Sequence, residues 1–234
     1  MTILFFLVNI GLLLFLLSVL FAEEIRSTRE RDPAARGTIE ILLLYPGLHA
    51  VILYRIAHFL WNRRIPFFPR AVSQFARLMT GIEIHPGARI GRGLFIDHGM
   101  GVVIGETTII GRHVALFQGV TLGGTGKETG KRHPTLKDNI VVGAGAKILG
   151  NITIGSNAYV GANAVVLKDV PPDTTIVGVP GRITKQDGKK IDRMMDHIHV
   201  LDPVMQQVDS IEERLARLED EVARVAGSPK NKKA

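Results

Sequence analysis

The hydrophobic pattern of the chain changes near residue 80. From Ile84 onwards aliphatic residues recur every six positions, a spacing that matches neither the period of a helix nor that of a strand. Twelve positions follow it, with a two-residue slip and one longer break: Ile84, Ile90, Ile96, Ile104, Ile110, Leu116, Leu122, Val142, Ile148, Ile154, Val160 and Val166. Hexapeptide periodicity predicts a parallel β-helix over residues 81–185, with each aliphatic side chain pointing inward.

Small residues often follow the inward positions of this repeat. They predict tight corners, where a Cβ would be crowded or where φ is positive. The glycines in question are Gly91, Gly105, Gly111, Gly123, Gly143, Gly155 and Gly161.

One segment, residues 123–139 (GGTGKETGKRHPTLKDN), contains no hexad and predicts a loop that leaves the β-helix. A tolerated surface insertion is the simpler explanation. Arg132 and His133 stand side by side in it, however, and loops carried by a rigid scaffold are common places for function.

The N-terminal part of the chain predicts helices. Residues 3–22 carry no charge and match the ~20 residues of a membrane-spanning helix. Four arginines follow them, and the positive-inside rule then places the rest of the chain in the cytoplasm, at the inner face of the plasma membrane. The alternatives are a signal peptide, or an apolar helix that packs on the domain or on another subunit. Residues 23–80 predict a helical cap, interrupted at Pro46 and Gly47.

The C-terminal part predicts one more helix, over residues 186–226. Its apolar residues alternate three and four apart, which indicates either a short coiled coil or one amphipathic helix lying on the domain. They are Leu201, Val204, Val208, Ile211, Leu215, Leu218, Val222 and Val225. Residues 227–234 predict a disordered tail.

Composition narrows the function classes. The chain has no cysteine, which excludes disulfides, thiolate metal sites and a cysteine nucleophile. Its net charge is +7, but no basic stripe interleaved with aromatic residues occurs in the central region, so nucleic acid is not an expected partner.

The candidate chemistry lies on the repeat. His98 is suited to act as a general base near neutral pH, and such a base needs a carboxylate to orient it. Glu83 precedes it by about one coil of three hexads, which makes Glu83 a candidate for that carboxylate. Arg132 suits a carboxylate and Asp97 an ammonium, so the residues point to a small polar substrate such as an amino acid.

Three stretches of this sequence resemble the bacterial serine O-acetyltransferases: EIHPGARIGRGLFIDHGMGVVIGE, VTLGGTGKETGKRHP and VGAGAKILGNITIG. The resemblance implies a left-handed coil and transfer of acetyl from acetyl-CoA to L-serine, the first step of cysteine synthesis. It implies that His98 is the base and Glu83 its orienting acid. It also implies that Asp32 and Asp97 bind the serine ammonium, and that Arg132 and His133 bind its carboxylate.

The same resemblance implies an acetyl-CoA groove between subunits of a homotrimer, with contacts at Gly123, Gly124, Ala144 and Lys147. A hexamer is the alternative assembly. Long family members dock a C-terminal isoleucine into O-acetylserine sulfhydrylase, and because this chain ends in Ala234 that complex is doubtful.

Two other enzyme functions remain open at this point. One is acetyl transfer to homoserine or a sugar. The other is a zinc hydratase on the same coil, although His85, His98, His113 and His133 form no obvious ligand set and we predict no metal. A non-catalytic membrane scaffold is a third alternative.

Overall fold

The computed structural model describes residues 2–126, 129–187, 189–190, 210–211, 214–215 and 217–218. The chain divides into two compact units, residues 1–193 and 194–234. The first unit begins with α1 (Thr2–Leu20), α2 (Ala22–Arg31), α3 (Thr38–Leu44), α4 (Pro46–Asn62) and α5 (Phe68–Thr80).

Short strands follow the helices and form three faces of parallel pairs. The first face contains β1 (Glu83–Ile84), β4 (Val103–Ile104), β7 (Thr121–Gly123), β10 (Lys147–Leu149) and β13 (Val165–Val166). The second contains β2 (Arg89–Ile90), β5 (Ile109–Ile110), β8 (Thr135–Leu136) and β11 (Thr153–Ile154). The third contains β3 (Phe95–Ile96), β6 (Ala115–Leu116), β9 (Val141–Val142), β12 (Tyr159–Val160) and β14 (Thr174–Val177), with β15 (Arg182–Gln186) and β16 (Lys189–Lys190) antiparallel beyond it.

The chain visits the three faces in turn, so that each strand pairs with the strand three places later. Every one of the twelve hexad positions is buried, and together they form the core of the coil. The first unit is therefore a three-sided parallel β-helix.

Successive coils differ in length. Glu83 lies opposite Val103, Val103 opposite Thr121, and Thr121 opposite Lys147, so the coils take 20, 18 and 26 residues. The extra residues lie at two corners. We call the corner that joins the third face to the first the 3–1 corner, and the corner that joins the first face to the second the 1–2 corner.

The interrupting segment is shorter than the sequence predicts. Leu136 is buried within β8, so the hexad pattern resumes there rather than at Val142. Thr135 pairs with Ile109 below it and with Thr153 above it. Because this strand completes the second face, only residues 124–134 leave the coil.

Helices α4 and α5 close the open end of the β-helix. The carbonyl groups of the first coil that point away from the second coil accept hydrogen bonds from side chains of these helices. The pairs are Ser73 to Ile84 (2.7 Å), Tyr54 to Ala88 (2.6 Å), and Arg55 to Ile90 (2.6 Å) and Gly91 (2.7 Å). These contacts satisfy backbone groups that an edge strand would otherwise leave unpaired.

Close approach of α4 to the coil depends on Gly47, where a Cβ would lie 2.2 Å from the carbonyl oxygen of Ile96. Helix α5 ends at Gly81, which has a φ of 72°, a conformation that glycine adopts at little cost at a helix end. The next residues, Ile82 to Ile84, enter the first coil directly.

Helix α1 is apolar on all sides, but among the described residues no single helix is long and apolar enough to cross a membrane. Two helix pairs reach that length only across a bend: Phe5–Leu20 with Ala22–Arg31, bent by 75°, and Thr38–Leu44 with Pro46–Asn62, bent by 69°. The predicted single span over residues 3–22 is not supported, because α1 ends at Leu20.

The predicted C-terminal helix lies mostly outside the described residues. Residues 210–211, 214–215 and 217–218 are helical, and Ile211, Leu215 and Leu218 are exposed. The predicted boundary at residue 185 differs from the structure, since β15 runs to Gln186 and β16 follows it in antiparallel pairing.

Candidate active site

The 3–1 corner presents the acid and histidine that follow β3. Ile96 is buried in the core, and the chain then turns outward at Asp97 and His98. His98 has a φ of 56°, and Gly99 and Gly101 also have positive φ. This left-handed stretch carries the two extra residues of the first coil, and its geometry holds the His98 ring out from the coil.

The imidazole of His98 is open to an approaching ligand. Its side chain is 74% exposed, whereas that of Asp97 is 25% exposed. The Nε2 atom of His98 lies 3.9 Å from Oδ2 of Asp97. That separation is too long for a hydrogen bond but close enough for the carboxylate to stabilise an imidazolium.

Asp32 is held at the end of α2 by two hydrogen bonds. Its Oδ1 accepts the amide of Ala34 (2.8 Å) and its Oδ2 accepts the hydroxyl of Tyr45 (2.7 Å). Burial, this hydrogen bond and the nearby charges of Asp32, Glu40 and Asp97 raise the pKa of Tyr45 to about 12. Since Asp32 and Asp97 both act on the same phenol, the two predicted ammonium ligands lie near each other.

Glu83 begins β1, next to the 3–1 corner, but its carboxylate binds another residue. Arg77 of α5 lies 3.1 Å from it, and no hydrogen bond joins Glu83 to His98 in the described part of the chain. The sequence argument assumed a coil of about three hexads. The first coil is longer, so Glu83 is in register with Val103 instead. Orientation of His98 by Glu83 therefore stays a prediction.

Arg132 and His133 lie at the 1–2 corner, directly above Glu106 and Thr107 of the preceding coil. The guanidinium of Arg132 is 2.5 Å from the Glu106 carboxylate. The ring of His133 is buried, with the Thr107 hydroxyl 2.9 Å from its Nδ1. Sequence reasoning found the first pair of residues and missed the second.

Burial lowers the pKa of His133, and the charges of Arg132 and Lys131 lower it further against the opposing effect of Glu106. His133 is therefore neutral at neutral pH. A neutral histidine beside a guanidinium provides a hydrogen-bond donor and a positive charge, which together suit a carboxylate ligand.

The predicted site residues fall into two groups on different corners. Asp32, Asp97 and His98 lie at or beside the 3–1 corner, and Arg132 and His133 lie at the 1–2 corner, with the whole first face between them. One small ligand cannot touch both groups within a single chain. A site that uses both needs a second copy of the chain.

The four predicted acetyl-CoA contacts lie along the first face and its two corners. Gly123 ends β7, and Gly124 follows it into the 1–2 corner. Lys147 begins β10 and donates a hydrogen bond to the carbonyl of Gly119, while Ala144 lies in the 3–1 corner. These residues border one surface without converging on one point.

The histidines considered as zinc ligands are spread over all three corners. His98 is at the 3–1 corner, His85 and His133 are at the 1–2 corner, and His113 follows β5 towards the third face. Within the described residues, no group of three or more histidine, aspartate or glutamate side chains is arranged to hold a metal ion.

A three-sided coil of hexads with an exposed acid–histidine pair places this chain in a class of acyl-group transferases. The family model for the bacterial transferase hexapeptide (six repeats) matches residues 133–168. The fold-class prediction is confirmed: the chain forms a left-handed parallel β-helix preceded by helices.

The relatives define the family within that class. The chain is 54% identical over 201 residues to serine acetyltransferase of Synechococcus elongatus, covering 86% of this chain and 82% of the relative. It is 55% identical over 195 residues to serine acetyltransferase of Staphylococcus aureus, covering 83% and 92%.

Solved structures agree with the relatives. Soybean serine acetyltransferase complexed with serine is 47% identical with a TM-score of 0.69, covering 71% of this chain and 69% of that chain. Serine acetyltransferase of Neisseria gonorrhoeae is 40% identical with a TM-score of 0.71, covering 76% and 72%. The chain therefore belongs to the serine acetyltransferase family.

Proposed function

We propose that this chain transfers the acetyl group of acetyl-CoA to the hydroxyl of L-serine, giving O-acetyl-L-serine and CoA for cysteine synthesis. One observation carries the proposal: an exposed histidine beside a carboxylate, held on a left-handed corner, in a chain that is more than half identical to serine acetyltransferases.

The chemistry assigned to His98 follows from its exposure. Its Nε2 takes the proton of the serine hydroxyl as the oxygen attacks the thioester carbon. The resulting tetrahedral oxyanion collapses and expels the CoA thiolate, which takes the proton back from His98. Asp97, 3.9 Å away, stabilises the imidazolium between these two steps. Direct transfer in a ternary complex suits a chain that has no cysteine.

Recognition of serine is assigned to both corners. Asp32 and Asp97 supply negative charge for the ammonium, and the tight hydrogen bonds of Asp32 fix its position. Arg132 and His133 supply donors for the carboxylate. Each group binds one end of a zwitterion, which a sugar acceptor does not present.

Separation of the two groups supports a homotrimer. In a closed ring the 3–1 corner of one protomer faces the 1–2 corner of the next, so every interface holds one complete site. Acetyl-CoA then lies along the first face, near Gly123, Gly124, Ala144 and Lys147. This arrangement gives three equivalent sites per trimer.

The test measures thiol release from acetyl-CoA by the purified chain with L-serine, L-homoserine and a sugar as acceptors. We expect turnover with L-serine and at least about tenfold less with the others. Equal turnover with L-homoserine would establish another hydroxyl acceptor instead.

A matched pair of variants isolates the role of His98. His98→Asn and His113→Asn both replace a positive-φ corner histidine by asparagine, which tolerates that conformation. We expect the first to lower kcat by roughly 10²–10⁴-fold with acetyl-CoA binding kept, and the second to leave kcat unchanged. Wild-type turnover in His98→Asn would remove the assignment.

The exposed surface of α1 supports a proposal about location: residues 3–22 attach the catalytic domain to the inner face of the plasma membrane. Phe5, Phe6 and Phe15 are all more than half exposed, and arginines follow the segment. In flotation assays with phosphatidylglycerol vesicles we expect the full chain to float. Phe6→Arg/Phe15→Arg should abolish flotation, and Val179→Arg, at an exposed apolar position elsewhere, should not. Vesicle-independent loss of oligomers in the double variant would favour packing of α1 on another subunit.

A further inference from the structure

Thr107 makes more hydrogen bonds to the proposed carboxylate-binding residues than any single function yet described requires. Its Oγ1 accepts the backbone amides of Arg132 (3.0 Å) and His133 (3.1 Å). The same oxygen lies 2.9 Å from Nδ1 of His133, and the backbone amide of Thr107 lies 3.2 Å from that nitrogen. One threonine thus contacts both the backbone and the ring of the pair above it.

These contacts determine which nitrogen of His133 carries the proton. A backbone amide can only donate, so Nδ1 of His133 must be the acceptor. The two amides occupy the acceptor positions of the Thr107 hydroxyl, which leaves its proton to be donated to Nδ1 as well. With two donors facing Nδ1, the proton of the neutral ring lies on Nε2.

The surroundings of the ring keep it neutral and fix its direction. Burial lowers the pKa of His133, and of the charges that face it Arg132 and Lys131 lower it while Glu106 raises it. A Cβ at Gly105 would lie 2.0 Å from Cδ2 and 2.2 Å from Nε2 of His133, so the ring occupies the space that this glycine leaves open. Its Nε2–H edge lies against Gly105 of the first face.

We propose that Thr107 is a positioning residue, which holds His133 as the Nε2–H tautomer so that the ring is a fixed hydrogen-bond donor to the substrate carboxylate. The proposal rests on the proposed function, because that function supplies the carboxylate. Thr107 itself does not touch substrate; it acts through His133 and through the backbone of Arg132.

The adjacent residue offers a matched control. Thr108 is 1% exposed, and its hydroxyl has no hydrogen-bond partner in the described part of the chain. Thr107→Val and Thr108→Val remove the same hydroxyl from neighbouring positions on one corner. Only the first removes hydrogen bonds to the substrate-binding pair.

Steady-state kinetics provide the first test. Thr107→Val is expected to raise the KM for L-serine at least tenfold, while the KM for acetyl-CoA stays within twofold of wild type. Thr107→Ser keeps the hydroxyl and should restore most of the serine KM, and Thr108→Val should match wild type. Equal serine KM values in the two valine variants would overturn the proposal.

Nitrogen-15 NMR of the histidine rings provides a second test that needs no turnover. In the wild-type protein we expect the His133 signal, assigned by its loss in His133→Asn, to show an unprotonated Nδ1 and a protonated Nε2. A protonated Nδ1 would overturn the proposal even if Thr107→Val fails to fold. If the wild type does not acetylate serine, the proposed function fails, while this spectrum still decides whether Thr107 sets the tautomer.

Discussion

Left-handed backbone conformations in this β-helix fall mainly on polar corner residues, whereas the glycines after the hexads serve a different purpose. His98, His113, Asn139, Asn157 and Asn163 all have positive φ. The repeat glycines do not; they are small because a neighbouring coil lies against them. A Cβ at Gly91 would lie 2.4 Å from the carbonyl oxygen of Gly111, for example. Of the two reasons that the sequence offered for these glycines, crowding is the one that the structure shows.

His85 gives a prediction about pH at the same scale. Its Nδ1 accepts the amide of Gly87 (3.0 Å) and its ring packs edge-on against Trp61. Burial, with help from the charge of Arg70, lowers its pKa from 6.5 to about 4. Between these values the unfolded chain binds a proton that the folded chain does not.

The free energy of unfolding is therefore unaffected by His85 above pH 6.5 and falls as the pH drops towards 4. We expect His85 to account for a loss of roughly 2–3 kcal/mol over this range. Urea unfolding of wild type and His85→Asn at one protein concentration measures it. Asparagine keeps an acceptor for the Gly87 amide but does not titrate, so its stability should decline less steeply. Parallel pH profiles for the two proteins would contradict the assigned shift.

Residue-scale prediction from sequence succeeded where a pattern exposed the residue and failed where the pattern was misread. His98 and Arg132 stand out because charged residues interrupt a hydrophobic repeat. Glu106 and Thr107 were missed because their partners are 26 residues away. Had Leu136 been counted as a hexad, that register would have placed Glu106 under Arg132 and Thr107 under His133. Tyr45 gave no such signal, since its contact with Asp32 joins two helices.

At the scale of secondary-structure elements, α4 acts as the lid on the first coil. A parallel β-helix has open ends whose carbonyls would pair with any passing strand. Tyr54 and Arg55 of α4, and Ser73 of α5, satisfy those carbonyls with side chains. Helices replace a further coil here because a side chain, unlike another strand, ends the stack.

Removal of one such hydrogen bond should destabilise the fold measurably. Tyr54 is 2% exposed and its hydroxyl donates to the Ala88 carbonyl at 2.6 Å. Tyr54→Phe leaves that carbonyl buried without its partner, which costs about 1–3 kcal/mol. Chemical denaturation compares it with Tyr159→Phe, which changes a tyrosine that is 45% exposed on β12. A loss no greater than in Tyr159→Phe would argue against the capping role of α4.

The elements themselves were predicted unevenly. Every hexad position read from the sequence is buried, because in a coil only every sixth side chain can reach the axis. The end of the interrupting loop was misplaced, since β8 contributes a single inward residue after the insertion. Pro46 marks the start of α4 as the sequence indicates, because proline suits the first turn of a helix.

For the whole molecule, the separation of the two groups of site residues makes a prediction about assembly. If every site takes His98 from one protomer and Arg132 from the next, a variant that lacks one residue can be complemented by a variant that lacks the other. Neither variant forms an intact site alone. A mixed trimer does so wherever an intact His98 corner meets an intact Arg132 corner.

Co-expression of His98→Asn and Arg132→Ala in equal amounts tests this directly. Random assembly creates an intact interface at one position in four, so we expect about a quarter of wild-type turnover from the mixture. Each variant alone should remain near background. Turnover of the mixture equal to the average of the separate variants would show that the sites do not span two protomers.

Sequence alone could not reveal that the site is divided. The motif containing Asp97 and His98 and the motif containing Arg132 and His133 both lie on the repeat, and a reader of the sequence places them together. Their positions depend on which corner each occupies, which follows from counting strands around the coil. The unequal coil lengths of 20 and 26 residues hide that count until the pairing is known.

Those unequal coils have a consequence for how such a molecule can change over time. Both insertions fall at corners, and the strands on either side keep their partners, so added length leaves the stacking order untouched. New peptide can therefore be gained or lost at a vertex without re-facing a single buried side chain. Substrate preference is free to diverge there while the scaffold stays constant.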